Sequence, residues 1–556
     1  MRLRLLQACV LAGLIAFGVA ACARDAGETE PATSANETNI TAEWSEAEVD
    51  GWLYLIEELE IQELHAALSA EHRPENYVVE NVNVITMTSD QPLLNQSVFV
   101  ADGRVTSIST TAATTRPTDM VAYDGTDRWL VPGLTDMHTH NLDSHSQHIL
   151  NLAMGVTTVR DLDGFPFLLK MRDAIAANEL LAPSMFVSGT ILNGSDFGGY
   201  ALKISTPEEA REAVREQAQA GYDFIKTHNS LSEENFLAIA DEAHEQGLDL
   251  VGHIPVRVSV EQAVGAKMRT FEHFKGYIID STLTLSDEDY VAATHGAEVW
   301  NTPTFSTYRN HLRGDEAAAV LANEKEMQLV PPTARKKWTA HATGEVTDVT
   351  ALRQNIYTMS QQIFSELRTL EDAQFLAGTD TGSYELMPPG FMLLDELRIF
   401  QELGMTPYEA MQTATVNAAE AMRKTGDFGV IAPGAEASFV LLENNPLEDV
   451  QRLHEIEAVG VRGVWLDEAK RDDMLARLKE VYQRSEKRME AAQATAEDLD
   501  DYLARLKKLH ETGFVFRDHY LDLAASMYVH VGRDDDAAEI TAMKLDPAFG
   551  FSWFRF

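Results

Sequence analysis

Two histidines separated by one residue, in Asp136-Met-His138-Thr-His140, directly follow the apolar run Trp129-Leu-Val-Pro-Gly-Leu. Alternate residues of an extended strand share a face, so both imidazoles can reach one ion. The pair alone is weak evidence, since most histidines ligate nothing. Recurrence strengthens it: Lys226 closes Asp223-Phe-Ile, His253 closes Leu250-Val-Gly, His273 closes Arg269-Thr-Phe-Glu, and Asp380 closes Leu376-Ala-Gly-Thr. Each stands at the end of an expected strand. Neutral imidazoles and a carboxylate suit divalent zinc and its neighbours, whereas a lysine ammonium would repel a cation. An amine carboxylated by carbon dioxide becomes an anionic oxygen donor able to bridge two ions. The competing reading of Lys226 is a lysine salt-bridged inside the fold.

Further polar residues flank these positions. His228 lies two residues beyond Lys226 on the same strand face, where it could hold a substrate carboxylate or support a ligand. Arg160 ends Val159-Arg-Asp161 and could meet an anionic group, with an ion pair to Asp161 or Asp163 as the structural alternative. Tyr384 and the turn at Pro388-Pro-Gly390 follow Asp380 on a loop suited to gripping substrate. His145 and His148 read as surface histidines.

The elements that must position these residues come in three patterns. Tyr77-Val-Val-Glu-Asn-Val-Asn-Val and Ser97-Val-Phe-Val-Ala are strands, the second entering a hairpin turn at Asp102-Gly103. From residue 131 short apolar strands alternate with helices, among them the helix from Pro207 to Gln219, capped at Thr206 with Glu209 three residues on. Repeated strand–helix units predict an α/β fold, a parallel (β/α)8 TIM barrel, in which the C-terminal strand ends converge on one mouth. Strands return in Ser438-Phe-Val-Leu-Leu and after Ile456, and helical periodicity takes over from Asp467, with Leu475, Leu478 and Tyr482, then Leu499, Tyr502, Leu506 and Leu509, on one face. The expected division is a signal peptide at 1–21, a tether with a short helix at 22–75, and β-domain parts at 76–130 and 427–466. The barrel takes 131–426 and a C-terminal helical extension 467–556. The two β parts are expected to pair as one small β-sandwich beside the barrel.

The motifs Val131-Pro-Gly-Leu-Thr-Asp-Met-His-Thr-His, Gly155-Val-Thr-Thr-Val-Arg, Gly252-His-Ile-Pro, Glu272-His, Ala377-Gly-Thr-Asp and Gly429-Val-Ile-Ala-Pro-Gly resemble those of the amidohydrolase superfamily. The closest likeness is to the imidazolonepropionase-related branch, which includes Xaa-Pro dipeptidases, carboxypeptidases for basic residues and ochratoxin-type amide hydrolases. The resemblance implies that His138, His140 and Asp380 hold one divalent ion and His253 and His273 a second, with zinc the expected metal, and with carboxylated Lys226 and a hydroxide between them. It implies hydrolysis of a peptide-like C–N bond in a dipeptide or N-acyl amino acid, with Asp380 as the proton carrier. A mononuclear deaminase or cyclic amide hydrolase, in which Lys226 would be superfluous, is the second reading. A non-catalytic lipoprotein that binds metal or ligand is the third.

Composition bounds these readings. The chain has 556 residues, 87 Asp and Glu against 45 Lys and Arg, and a formal charge of -42, which repels nucleic acid. Arg2 and Arg4 precede an apolar stretch that ends in Val19-Ala-Ala-Cys22, resembling a bacterial lipoprotein signal with Cys22 carrying the lipid. The expected location is the periplasm or cell envelope, anchored to the membrane. Cys9 and Cys22 are the only cysteines, so no disulfide is expected once the signal is removed. The expected partners are a small-molecule or short-peptide substrate and further copies of the chain. The aromatic segment 549–556 is expected to pack on the barrel or on a neighbouring subunit.

Overall fold

The computed structural model describes residues 44–110, 117, 120–140, 144–195, 201–279, 284–285, 289–312, 314–344, 348–382, 386–491, 493–514 and 518–544. Cys22, the signal at 1–21, Tyr384 and the aromatic segment 549–556 lie outside the described residues.

The apolar runs that close on the candidate ligands form short parallel strands. Seven lie in one ladder, ordered Ala201–Lys203, Ile191–Asn193, Phe224–Thr227, Asp249–Gly252, Thr270–Glu272, Trp300–Thr302 and Gln374–Phe375. Three more, Leu134–Thr139, Val156–Asp161 and Ser184–Val187, form a second parallel ladder. The expectation was one closed eight-stranded ladder; the hydrogen bonding instead divides the strands in two. Single parallel bridges join the two ladders, Ser188 to Phe224 in the third strand of the longer one and Thr139 to Thr381 beyond its last strand. Local geometry explains the division. At the Thr139–Thr381 junction, Asp380 has a left-handed backbone that no continuous ladder accepts.

The strands on either side of this region do combine. Phe439–Leu442 pairs antiparallel with Trp129–Pro132, joining N- and C-terminal strands in one eight-stranded mixed sheet rather than a two-sheet sandwich. Its buried face carries Tyr77, Val98, Leu130, Phe439 and Trp465. The Asp102-Gly103 turn closes Leu93–Ala101 onto Arg104–Thr110, with both turn residues at positive φ as a two-residue hairpin requires.

Between Trp300–Thr302 and Gln374–Phe375 the described residues form a 3-10 helix, Phe305–His311, and the α-helices Gly314–Leu321, Glu324–Met327, Pro332–Thr343 and Asp348–Leu367. The short helix expected near the tether is instead a 26-residue helix, Glu46–Glu71, started by a reciprocal cap between Ser45 and Glu48. It packs on Glu468–Ala491 and Asp518–His530, so the two ends of the sequence share a core in which Trp52, Leu59, Leu499, Tyr502 and Tyr528 are buried. Among the described residues, no helix is long and apolar enough to cross a membrane.

Candidate metal centre

His138 and His140 leave the end of Leu134–Thr139, Lys226 lies within Phe224–Thr227, and His253 and His273 directly follow Asp249–Gly252 and Thr270–Glu272. Parallel strand ends bring them together. The ring of His138 lies 4.6 Å from that of His273 and 5.3 Å from that of His140, and His273 lies 5.0 Å from His253. Asp380 Oδ1 is 2.9 Å from His140 Nε2 and 3.4 Å from His138 Nε2. Ligand atoms of His138, His273 and Asp380 all lie within 4.8 Å of one another.

Two motif glycines permit this approach. A Cβ on Gly252 would stand 2.5 Å from the Thr227 carbonyl and 2.7 Å from Lys226 Cδ, and its φ of +116° is strained for any side chain. A Cβ on Gly378 would meet His138 Cβ at 2.9 Å and Thr302 Cγ2 at 2.6 Å. His273, Thr304 and Asp380 themselves hold left-handed backbones, with φ of 58°, 53° and 60°. Such conformations cost roughly 1–3 kcal/mol and persist where the surroundings over-determine them.

Each imidazole has a partner on Nδ1. Glu272 Oε2 lies 2.9 Å from His138 Nδ1, Asn229 Oδ1 lies 2.8 Å from His253 Nδ1, and Thr304 Oγ1 lies 2.6 Å from His273 Nδ1. Asp163 Oδ2 stands 3.7 Å from His140 Nδ1. With Nδ1 engaged, Nε2 is left to face the centre, the usual arrangement around metal-bound histidine. His138 Nε2 is buried without a hydrogen-bond partner, as a ligand atom would be.

Electrostatics fit the same donors. Burial drives His138 and His253 well below their ordinary range and His273 down to about 4, keeping them neutral with lone pairs available. Burial opposes charge on His140 as well, but Asp163 and Asp380 push it up to about 10. That corner of the site therefore demands positive charge. Burial would raise Asp380, yet His273, His140 and His138 hold it well below the usual carboxylate range. Lys226 is lowered by burial to about 8, with Glu272 and Asp380 pulling upward, so a neutral amine is accessible near physiological pH. These donors suit one or two divalent ions.

His228 packs against His253 with ring centres 4.2 Å apart and planes tilted by 32°, and burial lowers it to about 3. Arg160 is placed differently from expectation. It lies fully buried beneath the site and donates to the Met137 carbonyl at 2.6 Å, Thr270 Oγ1 at 3.0 Å and Glu272 Oε1 at 2.8 Å. Its counter-charge is Glu272 rather than Asp161 or Asp163. His145 and His148, expected at the surface, are wholly buried beside His65, with His145 Nδ1 3.0 Å from His65 Nδ1.

Sequence reading missed Glu272, Asn229 and Thr304 as partners of the histidines, and Asp136 as a brace. Asp136 accepts from the backbone N–H of His138 at 3.1 Å and of Thr379 at 3.0 Å. An acidic residue inside the buried strand Thr270–Glu272 was the available signal for Glu272.

The Amidohydrolase family matches residues 129–466. Ochratoxinase of Aspergillus niger is 24% identical over 407 residues, covering 59% of this chain and 73% of its own. The bottromycin amidohydrolase superposes with a TM-score of 0.62 at 23% identity, covering 75% of this chain and 93% of that one. A Xaa-Pro dipeptidase with methionine bound in its active site gives 0.54 at 19% identity, covering 71% and 100%. These structural likenesses show a shared fold.

Proposed function

The chain belongs to the amidohydrolase family, and from that premise we propose that it hydrolyses the amide C–N bond of a dipeptide or N-acyl amino acid at a centre of two divalent ions. The observation that carries this reading is a set of converging imidazoles, each with a partner on Nδ1, around the buried Lys226 and Asp380. The two linked parallel ladders are read as the family's (β/α)8 barrel, with these residues at its mouth. A dipeptidase and an amidohydrolase among the relatives support amide cleavage.

His138, His140 and Asp380 would hold one ion, His253 and His273 the other, and carboxylated Lys226 would lie between them; zinc suits this donor set. Divalent ions bound there supply Lewis acidity, which acidifies water and polarises a carbonyl. The protein's own groups do the rest. Asp380, held ionised, takes the proton of the attacking water and returns it to the leaving nitrogen. His228, neutral against His253, offers a hydrogen bond to the substrate's carboxylate end. Tyr384 is proposed as a second substrate contact.

One observation favours a second reading. One close ligand group, His138, His273 and Asp380, draws on both expected sets, as a single shared ion would. That arrangement suits a deaminase or cyclic amide hydrolase. Elemental analysis of the wild type and of Lys226→Ala, beside a screen of dipeptides and N-acyl amino acids, separates the two. Two ions per chain, falling to one with turnover lost in Lys226→Ala, supports the binuclear hydrolase. One ion per chain with turnover unchanged in Lys226→Ala supports the mononuclear reading.

We also read residues 1–21 as an export signal and Cys22 as lipid-bearing, which places the enzyme in the periplasm or cell envelope, and we read the assembled state as a homo-oligomer. Cys22→Ser is expected to move the protein from the membrane to the soluble fraction, and light scattering reads its mass.

A further inference from the structure

The segment after Trp300–Thr302 touches both sides of the centre. At one end, Thr304 Oγ1 lies 2.6 Å from His273 Nδ1. At the other, Thr307 Oγ1 donates to the Thr379 carbonyl at 3.0 Å, next to Asp380. Between them the backbone N–H groups of Phe305 and Ser306 donate to the two carboxyl oxygens of Glu396, at 2.9 and 2.6 Å. Glu396 projects from the helix Phe391–Glu402 and is wholly buried. Burial pushes Glu396 up to about 8 against the opposing bonds from Ser306 and Phe305, and the backbone of this segment still engages both of its oxygens.

Thr304 has a φ of 53°, a conformation that a β-branched residue avoids unless it is held there. The Glu396 clamp begins at the next residue, so it fixes the turn that aims the Thr304 hydroxyl. An imidazole whose Nε2 lone pair faces the centre carries its proton on Nδ1, and it then donates that proton to Thr304 Oγ1. Thr304 thereby accepts the Nδ1 proton of the ligand-competent tautomer and fixes the direction of the ring.

We propose that Thr304 and Glu396 are positioning residues of the metal centre, with Glu396 clamping the 304–307 segment so that Thr304 orients His273 while Thr307 ties the same segment to the Asp380 side. The proposal rests on the reading that His273 and Asp380 hold a divalent ion. It goes beyond that reading by assigning the support of one side of the site to a carboxylate from a helix that supplies no ligand.

The test is zinc affinity, measured on the full chain by competition with a chromophoric chelator, beside the melting temperature of the metal-free protein. Thr304→Val keeps shape and removes the hydroxyl; it is expected to weaken zinc binding about 10- to 100-fold while moving the metal-free melting temperature little. Thr304→Ser retains the hydroxyl and is expected to bind as wild type does. Glu396→Gln is expected to weaken binding in the same direction, and to add little when combined with Thr304→Val, because both act through one ring. Wild-type affinity in Thr304→Val overturns the proposal, as does a Thr304→Ser that binds as poorly as Thr304→Val. If Glu396→Gln does not fold, the Val and Ser pair still decides. A wild type that takes up no zinc overturns the metal-centre reading together with this proposal, whereas wild-type uptake with an unaffected Thr304→Val overturns this proposal alone.

Discussion

Glu272 divides its two oxygens between the site and the fold. One accepts from Arg160 at 2.8 Å and from Thr270 Oγ1 at 2.5 Å, while the other meets His138 Nδ1 at 2.9 Å. Burial would raise it, but Arg160 and His138 hold it well below the usual carboxylate range, so it stays ionised inside the protein. Glu272→Gln keeps the shape and removes the charge, leaving Arg160 buried without its counter-ion. Breaking a buried pair in this way costs about 3–5 kcal/mol, and loosening His138 should weaken zinc binding at least roughly tenfold. Denaturant unfolding and chelator competition measure the two effects, and wild-type values in both would remove Glu272 from the support of the site. Arg160→Lys is expected to behave alike, lowering stability and metal affinity. A raised KM with both of those unchanged would return Arg160 to the substrate-contacting role that its sequence position suggested. For Asp380 the proton-carrying role predicts that Asp380→Asn keeps most of its metal and loses turnover by about 10²- to 10⁴-fold. Full metal content with near-normal turnover would exclude that role.

Helix Glu46–Glu71 shows why some elements were legible in the sequence and others were not. Glu57, Glu58 and Glu60 are buried along it, where a run of glutamates reads as a solvated face. Their partners come from far along the chain: Arg484 and Arg488 meet Glu60, and Thr333 and Ser485 donate to Glu57. No local pattern could show that. His145 and His148 were misjudged for the same reason, since the helix that buries His145 against His65 begins about a hundred residues earlier. The candidate ligand histidines were legible because each stands at or just beyond the end of an apolar strand, where strand topology fixes its position. Their Nδ1 partners come from other strands and loops, Glu272 from Thr270–Glu272 and Asn229 and Thr304 from the turns after two further strands, and stayed hidden. The Glu57 environment makes a prediction about pH. Burial raises its pKa above the usual carboxylate value, outweighing the opposing bonds from Ser485 and Thr333. A raised carboxyl contributes stability that is fully present below its unfolded value near 4.5 and is lost as pH rises through the folded value. Glu57→Gln cannot ionise, and its amide can still bond both hydroxyls. Across pH 4 to 8, the wild type should lose stability relative to Glu57→Gln as pH rises; parallel melting curves at every pH would show that Glu57 does not control how this helix docks.

At the scale of the whole molecule, charge is the dominant feature. With 87 acidic against 45 basic residues, the excess of negative charge is spread over a single chain. Several arginines are committed to short contacts between the terminal helices, as Arg477 with Glu71 at 2.6 Å and Arg505 with Glu63 at 2.6 Å. Added salt acts on two opposing quantities. It screens these ion pairs, which at partly exposed positions are worth about 0–1 kcal/mol each. It also screens repulsion among the unpaired acids, which is long-ranged and grows with net charge. The screening length falls from about 30 Å at 0.01 M to about 3 Å at 1 M, so repulsion between acids one helix apart is strong at the first concentration and nearly absent at the second. Because acids exceed bases by almost two to one, relief of repulsion should outweigh the loss of pairs. The melting temperature is therefore expected to rise by roughly several degrees between 0.01 and 1 M sodium chloride at fixed pH and metal content, since a change of 1 kcal/mol moves a large domain by about 2–4 °C. Chloride is the informative salt, because sulfate strengthens apolar burial in any protein. A sucrose series at matched osmolality controls for water activity. A melting temperature that falls with chloride would mean that the arginine contacts between the terminal helices, rather than the surplus of carboxylates, set the electrostatic balance of the fold.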